Sequence, residues 1–261
     1  ELDPLKTYTL AFEDGSVADI AGNPLAPASV SVQTIDPDAL PELTMIHAIH
    51  GETIGTSPLM GQTVTIEAIV VGDFTRGGDP SRDMSGFYLQ AEDKDHDGDE
   101  STSEGIFVYQ GALDVDLQLG DRVMVTGTVE QYFGKLQVRA QSVSVTEAGA
   151  VEDVNTMAVE VALPSVGAVQ HGSDALNYTA DLKAYEGMLV KFTDTLTISE
   201  QYNLDRYNEI KLVAGERASQ YTVDNAPDVE GYLQHVQDLA ARSIVYDDGR
   251  TTQNVPVDYV D

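Results

Sequence analysis

The 261-residue chain carries 14 Lys and Arg against 44 Asp and Glu, a formal net charge of −30, and contains neither Cys nor Trp. Disulfides, cysteine-ligated zinc, iron–sulfur clusters and thiol nucleophiles are therefore excluded. So negative a chain also opposes phosphate backbones and anionic lipids unless basic groups are concentrated locally.

With 42% hydrophobic residues, 22 Gly and 10 Pro, the chain can build packed cores, and its length suggests two domains. No apolar run approaches the roughly 18 residues that a membrane helix needs, so a soluble protein without membrane insertion is expected. The start, Glu1-Leu2-Asp3-Pro4, lacks the basic head and apolar body of a signal peptide. Any export signal is therefore expected upstream or already removed.

Helical periodicity is rare, and most apolar segments alternate or run as short β-branched stretches bounded by Gly, Asp, Asn and Pro. The expected fold class is mainly β. Residues 7–12 and 29–34 read as strands flanking a loop with Asp19, Gly22, Asn23 and Pro24. Two strands cannot bury a core of their own. Residues 1–38 are thus expected to be the tail of a larger domain or a strand pair docked on a neighbouring barrel. Strands are predicted at 64–71, 87–91, 105–109, 122–131 and 135–146, the last two joined by a hairpin at Tyr132-Phe133-Gly134-Lys135. Five such strands define a first compact barrel-like unit over 43–148.

After a looser stretch comes a second unit, 157–261, with strands at 187–192, 195–200, 209–212 and 244–246. Its residues 228–242 space Val229, Leu233, Val236, Leu239 and Ala240 as a helix, expected to plug or cap that unit. Gly61-Gln62-Thr63-Val64-Thr65-Ile66 parallels Glu186-Gly187-Met188-Leu189-Val190-Lys191-Phe192, as related barrels in tandem would.

Residues 93–104, Asp-Lys-Asp-His-Asp-Gly-Asp-Glu-Ser-Thr-Ser-Glu, satisfy D-x-[DN]-x-[DN]-G-x5-E in full. A hard cation such as Ca2+ takes roughly six to eight oxygens. Asp93, Asp95 and Asp97 would offer carboxylates, Asp99 its carbonyl, Ser101 a hydroxyl or a bridging water, and Glu104 both carboxylate oxygens. Strands rather than helices flank the loop, so a structural Ca2+ site is expected, without the opening motion of a sensor. The alternative is a solvated acidic loop.

The segments Ile46-His47-Ala48-Ile49-His50-Gly51, Ser57-Pro58-Leu59, Val70-Val71-Gly72-Asp73-Phe74, Gly86-Phe87-Tyr88-Leu89-Gln90, Ser103-Glu104-Gly105-Ile106-Phe107-Val108-Tyr109 and Gly120-Asp121-Arg122-Val123 carry a resemblance. They resemble the oligonucleotide/oligosaccharide-binding (OB-fold) domain of secreted bacterial nucleases. Tyr185-Glu186-Gly187-Met188-Leu189-Val190, Tyr202-Asn203-Leu204-Asp205-Arg206-Tyr207 and Asp247-Asp248-Gly249-Arg250, with Gln253-Asn254, are similar to the segment that follows that domain in those nucleases. Residues 5–34 resemble the final strands of a bacterial Ig-like domain, with Asp19-Ile20-Ala21-Gly22-Asn23 as its turn.

The resemblance implies tandem OB-fold-like barrels behind an Ig-like β segment, and a secreted, extracellular, non-catalytic accessory region. Its role would be to bind or position DNA for a metal-dependent catalytic domain of the endonuclease/exonuclease/phosphatase type, encoded beyond this sequence. Within the chain no nucleophile–base spacing stands out, and the one close His pair, His47 and His50, sits at a predicted strand start without an acidic cluster in sequence. An enzyme is not expected here.

OB-folds hold single strands by stacking bases on aromatics and tracking phosphates with Lys and Arg. The candidates are Phe74, Arg76, Arg82, Tyr132, Phe133, Lys135 and Arg139, with Tyr88 beside them; Tyr202, Arg206, Tyr207 and Lys211 make a weaker set. The same aromatics could instead fill a barrel. A calcium-stiffened extracellular spacer or adhesion-type module that binds no nucleic acid is therefore the second expectation.

Overall fold

The computed structural model describes residues 6–12, 20, 28–33, 42–51, 56–75, 84–113, 115–165, 167–250, 252–254 and 256. The chain divides into two units, Glu1–Glu42 and Leu43–Asp261.

In the first unit, β1 (Thr7–Phe12) pairs antiparallel with β2 (Ala28–Gln33), and Tyr8 faces Val32 while Leu10 faces Val30. Their alternation gives the ribbon an apolar face on which Leu10, Val30 and Val32 are exposed. Of the turn expected at 19–23, all but Ile20 lies outside the described residues.

The second unit opens with the short helix α1 (Ile46–His50), where the sequence suggested a strand start. Tertiary contacts fix it, since Ile46 and Ile49 are buried in the core of the adjoining barrel. That barrel is built from β3 (Thr63–Phe74), β4 (Gly86–Gln90), β5 (Gly105–Tyr109), β6 (Arg122–Tyr132) and β7 (Lys135–Glu147). It closes in the order β3-β4-β5-β7-β6, with β5 and β7 parallel and every other pair antiparallel.

Number the five strands from one, and the order 1-2-3-5-4 closing back on 1 is that of an OB-fold-like barrel. The twelve-residue β3 makes closure possible. It pairs with β6 through its first half and with β4 through its second, shifting register between Val70 and Gly72. Alternation sends Ile66, Ala68, Val70, Phe87, Leu89, Ile106, Val108, Val123, Val125 and Val138 inward. Full burial stabilises each large apolar side chain by about 1.5–3 kcal/mol.

Among the described residues beyond the barrel, no second barrel closes. Three small sheets form instead: β8 (Val159–Val161) parallel to β11 (Val190–Phe192), β9 (Ala168–Gln170) with β10 (Tyr178–Ala180), and β12 (Leu196–Glu200), β13 (Ile210–Ala214) and β14 (Ser243–Tyr246) in that order. The mainly β expectation holds, but the tandem-barrel expectation does not. The strands β8 to β14 pair only in twos and threes, so no ladder returns to its first strand. The stretch that parallels 61–66 supplies a turn at Gly187 and the three-residue β11, not a long bent strand.

Two helical turns, α2 (Leu204–Tyr207) and α3 (Tyr221–Asp224), precede α4 (Val229–Ala241). The latter starts where predicted because the Asp228 carboxylate accepts from the Gly231 amide at 2.6 Å. It packs across β9, β10 and β14 and plugs no barrel.

This second region is laced to the barrel by polar groups. The buried Gln90 donates to the Met157 carbonyl and accepts from the Leu189 amide, both at 2.8 Å. Ser103 donates to the Glu186 carbonyl at 2.7 Å, and the Glu186 carboxylate accepts from the Leu136 amide at 3.0 Å. Gly105 and Gly187 meet backbone to backbone, so close that a Cβ on Gly105 would lie 2.4 Å from Gly187.

Candidate nucleic-acid interface and cation loop

Strand pleating decides which side chains leave the barrel. On β4 and β5 the residues Phe87, Leu89, Ile106 and Val108 point into the core, so Gly86, Tyr88, Phe107 and Tyr109 point out. Register then sets them side by side: Tyr88 opposite Phe107, Gly86 opposite Tyr109, Phe107 opposite Gln137, and Tyr109 opposite Arg139. The Tyr88 and Phe107 rings are 5.0 Å apart, and the Arg139 guanidinium lies 5.1 Å from the Tyr109 ring centre.

Gly86 is a condition of this arrangement. A Cβ there would come within 2.3 Å of both the Phe107 ring and the Val108 carbonyl oxygen. At the β6–β7 hairpin, Phe133 adopts φ 46° and is 90% exposed, with Tyr132 edge-on to it at 4.6 Å. Together Met84, Tyr88, Phe107, Tyr109, Tyr132 and Phe133, with Lys135, Gln137 and Arg139, line an open cleft of about 520 Å3.

Of the seven residues expected to touch nucleic acid, the structure gathers Tyr132, Phe133, Lys135 and Arg139 at this cleft. Phe74 lies at its edge, 5.8 Å from Tyr88 and covered by Gly249, which leaves it a support for Tyr88 more than a stacking surface. Arg76 and Arg82 lie outside the described residues. Burial, with Asp247 nearby, raises the Tyr88 pKa, so its hydroxyl stays protonated at neutral pH.

Sequence reasoning missed Phe107, Tyr109 and Gln137. Gly105-Ile106-Phe107-Val108-Tyr109 is apolar on both faces, so alternation gives no signal, and the strand order is needed to turn two of its rings outward. In the weaker set, Tyr202 and Lys211 border a smaller cleft of about 180 Å3 with Glu200, Asn203 and Glu209, while Arg206 lies over the Tyr207 ring at 5.0 Å.

Two cations line the cleft, Lys135 and Arg139. Arg139 donates through Nε to Glu130 at 2.9 Å, and Gln137 donates to the other oxygen of that carboxylate. Lys183, hydrogen-bonded to Glu186, has its pKa lowered to about 8, first by burial and then by the charge of Lys135.

The acidic loop joins β4 to β5. Its base closes through the Ala91 amide on the Glu104 carbonyl at 2.9 Å, and Glu92 is taken up by Arg122 and Lys94. Asp93–Asp95 form a single 3-10 turn and Gly98 takes φ 78°. The Asp97 carboxylate accepts from the Asp99 amide at 2.8 Å and from the Thr102 hydroxyl at 3.0 Å, which holds its pKa below the usual range. The Asp99 carboxylate accepts from the Ser101 amide and hydroxyl.

Glu104 is only 5% exposed; its carboxylate accepts from the Asp97 amide at 3.2 Å and from His47 Nδ1 at 3.0 and 3.2 Å. His47, Asp97 and Glu104 thus bring one donor atom each within 4.8 Å of one another. Of the six ligands expected from spacing, Asp97 and Glu104 converge, while Asp93 and Asp95 stand outside that group. Of the His pair, His47 does have acidic neighbours, but Asp97 and Glu104 come from 50 or more residues along the chain, where spacing could not show them.

No family model matches this chain, and no curated protein does either. Among solved structures, the hypothetical protein ygiW from E. coli is similar at 13% identity and a TM-score of 0.27, over 40% of this chain and 90% of that one. The OBody AM1L10 bound to hen egg-white lysozyme is similar at 16% identity and a TM-score of 0.28, over 41% of this chain and 94% of that one. The OB-fold-like description of the barrel rests on its own strand order.

Proposed function

We propose that this chain is a non-catalytic accessory region of a secreted nuclease that captures single-stranded nucleic acid, DNA in the first instance, on the outer face of β4, β5 and β7. The observation that carries the reading is the row Tyr88, Phe107 and Tyr109, flanked by Tyr132, Phe133, Lys135 and Arg139, on the strand face that OB-folds use for oligonucleotides. Stacking contributes about 1–3 kcal/mol per base and works on any base. The reading also includes a divalent-cation site in the 93–104 loop, for which the spacing alone points to Ca2+.

A net charge of −30 and the Arg139–Glu130 ion pair favour the second reading, a spacer that binds no nucleic acid. Fluorescence anisotropy with labelled single- and double-stranded oligonucleotides separates the two. Saturable binding of single strands that is lost in Phe107→Ala supports capture, and no binding at low salt leaves the spacer.

A further inference from the structure

We propose that His47, Asp97 and Glu104 form a mixed nitrogen–oxygen site for a first-row divalent ion of the Zn2+ and Mn2+ class, in preference to the Ca2+ that loop spacing alone implies. This rests on the cation-site part of the proposed function and is independent of whether the aromatic face binds nucleic acid. The three donor groups come from two segments that share nothing in sequence, α1 and the β4–β5 loop, and their donor atoms all lie within 4.8 Å. Imidazole nitrogen suits Zn2+ and its neighbours, whereas Ca2+ takes oxygen ligands and needs six to eight of them. With Asp93 and Asp95 outside the cluster, the side chains that converge are one imidazole and two carboxylates. One imidazole and two carboxylates leave a position for water, as in three-ligand Zn2+ sites.

Each ligand is held in place from outside the cluster. α1 is anchored by Ile46 and Ile49 in the core and by His50 Nε2, which donates to the Gly105 carbonyl at 2.7 Å. Glu104 is buried at the end of the loop, immediately before β5, and Asp97 is fixed by the Asp99 amide and Thr102 while remaining exposed, so an ion can enter. Independently of this geometry, the same loop carries the complete D-x-D-x-D-G-x5-E spacing. The site keeps the last acid of that motif and its fifth position and replaces the first two with a distant imidazole.

Isothermal titration calorimetry of the metal-stripped chain with ZnCl2, MnCl2 and CaCl2 in separate runs tests this. One Zn2+ or Mn2+ per chain is expected, bound more tightly than Ca2+. His47→Gln and Glu104→Gln should each weaken it at least about tenfold, while His96→Gln, on the same loop, should not. Because Glu104→Gln can unfold a buried site, His47→Gln carries the decision, with the Co2+ absorption spectrum as a second readout of nitrogen ligation. Ca2+ binding alone, unchanged in His47→Gln, overturns the inference and leaves an oxygen-only loop. Zn2+ bound undiminished in His47→Gln marks surface binding and also overturns it. If no ion binds, both this inference and the cation site of the proposed function fall.

Discussion

Replacing Gly86 with Ala adds one methyl group where two atoms already stand at 2.3 Å, the Phe107 ring and the Val108 carbonyl oxygen. The ring can rotate away. The carbonyl cannot, because it belongs to the β4–β5 ladder in which Gly86 faces Tyr109. Relief requires β4 and β5 to part by about 1 Å at the mouth of the cleft, and overpacking of this kind costs about 1–3 kcal/mol.

For a unit of this size 1 kcal/mol is worth about 2–4 °C, so the melting midpoint should fall by roughly 2–12 °C. Gly167→Ala serves as the control, since its Cβ would meet nothing within 4 Å. Thermal unfolding followed by circular dichroism reads both variants. A Gly86→Ala midpoint equal to that of the parent chain would refute the close approach of β4 to the Val108 carbonyl at Gly86, and with it the strand spacing on which the aromatic row stands.

Phe107→Ala and Tyr109→Ala should each weaken single-strand binding by about 1–3 kcal/mol in anisotropy titrations, and affinity retained in both variants would move the ligand off this face. If Lys135 and Arg139 are the phosphate contacts, the slope of log K against log salt should be about −1.4, twice the −0.7 of one contact on a single strand; a slope near −4 would require basic groups elsewhere. Burial lowers the His50 pKa from 6.5 to about 4, and its Nδ1 has no hydrogen-bond partner to receive a proton. The unfolded chain therefore binds the extra proton first as pH falls, and stability present above about pH 6.5 drops by up to about 3 kcal/mol towards pH 4. Urea midpoints across that range should fall more steeply for the parent chain than for His50→Gln, and parallel curves would contradict the assignment. Asp228→Ala removes the cap of α4 and should cost about 1 kcal/mol in the same assay.

What the sequence determined by itself was local. Period-two alternation and short β-branched runs bounded by Gly, Asp and Asn located β3 to β7 to within a few residues, Gly134 placed the hairpin, the helical spacing of Val229, Leu233, Val236 and Leu239 located α4, and the carboxylate spacing singled out 93–104. These are signals between residues one to twelve positions apart, and short-range backbone geometry suffices to write them. The tertiary structure alone decided what lies far apart in the chain: the parallel pairing of β5 with β7, which puts Tyr109 beside Arg139, and the approach of His47 to Glu104 across 57 positions. It also decided that the region after the barrel forms three small sheets, because strand-forming composition says which segments are extended but not which of them pair. Two faces of one apolar strand are chemically alike until a neighbour claims one of them. For that reason Phe107 and Tyr109, the centre of the proposed interface, became legible only once the barrel had closed.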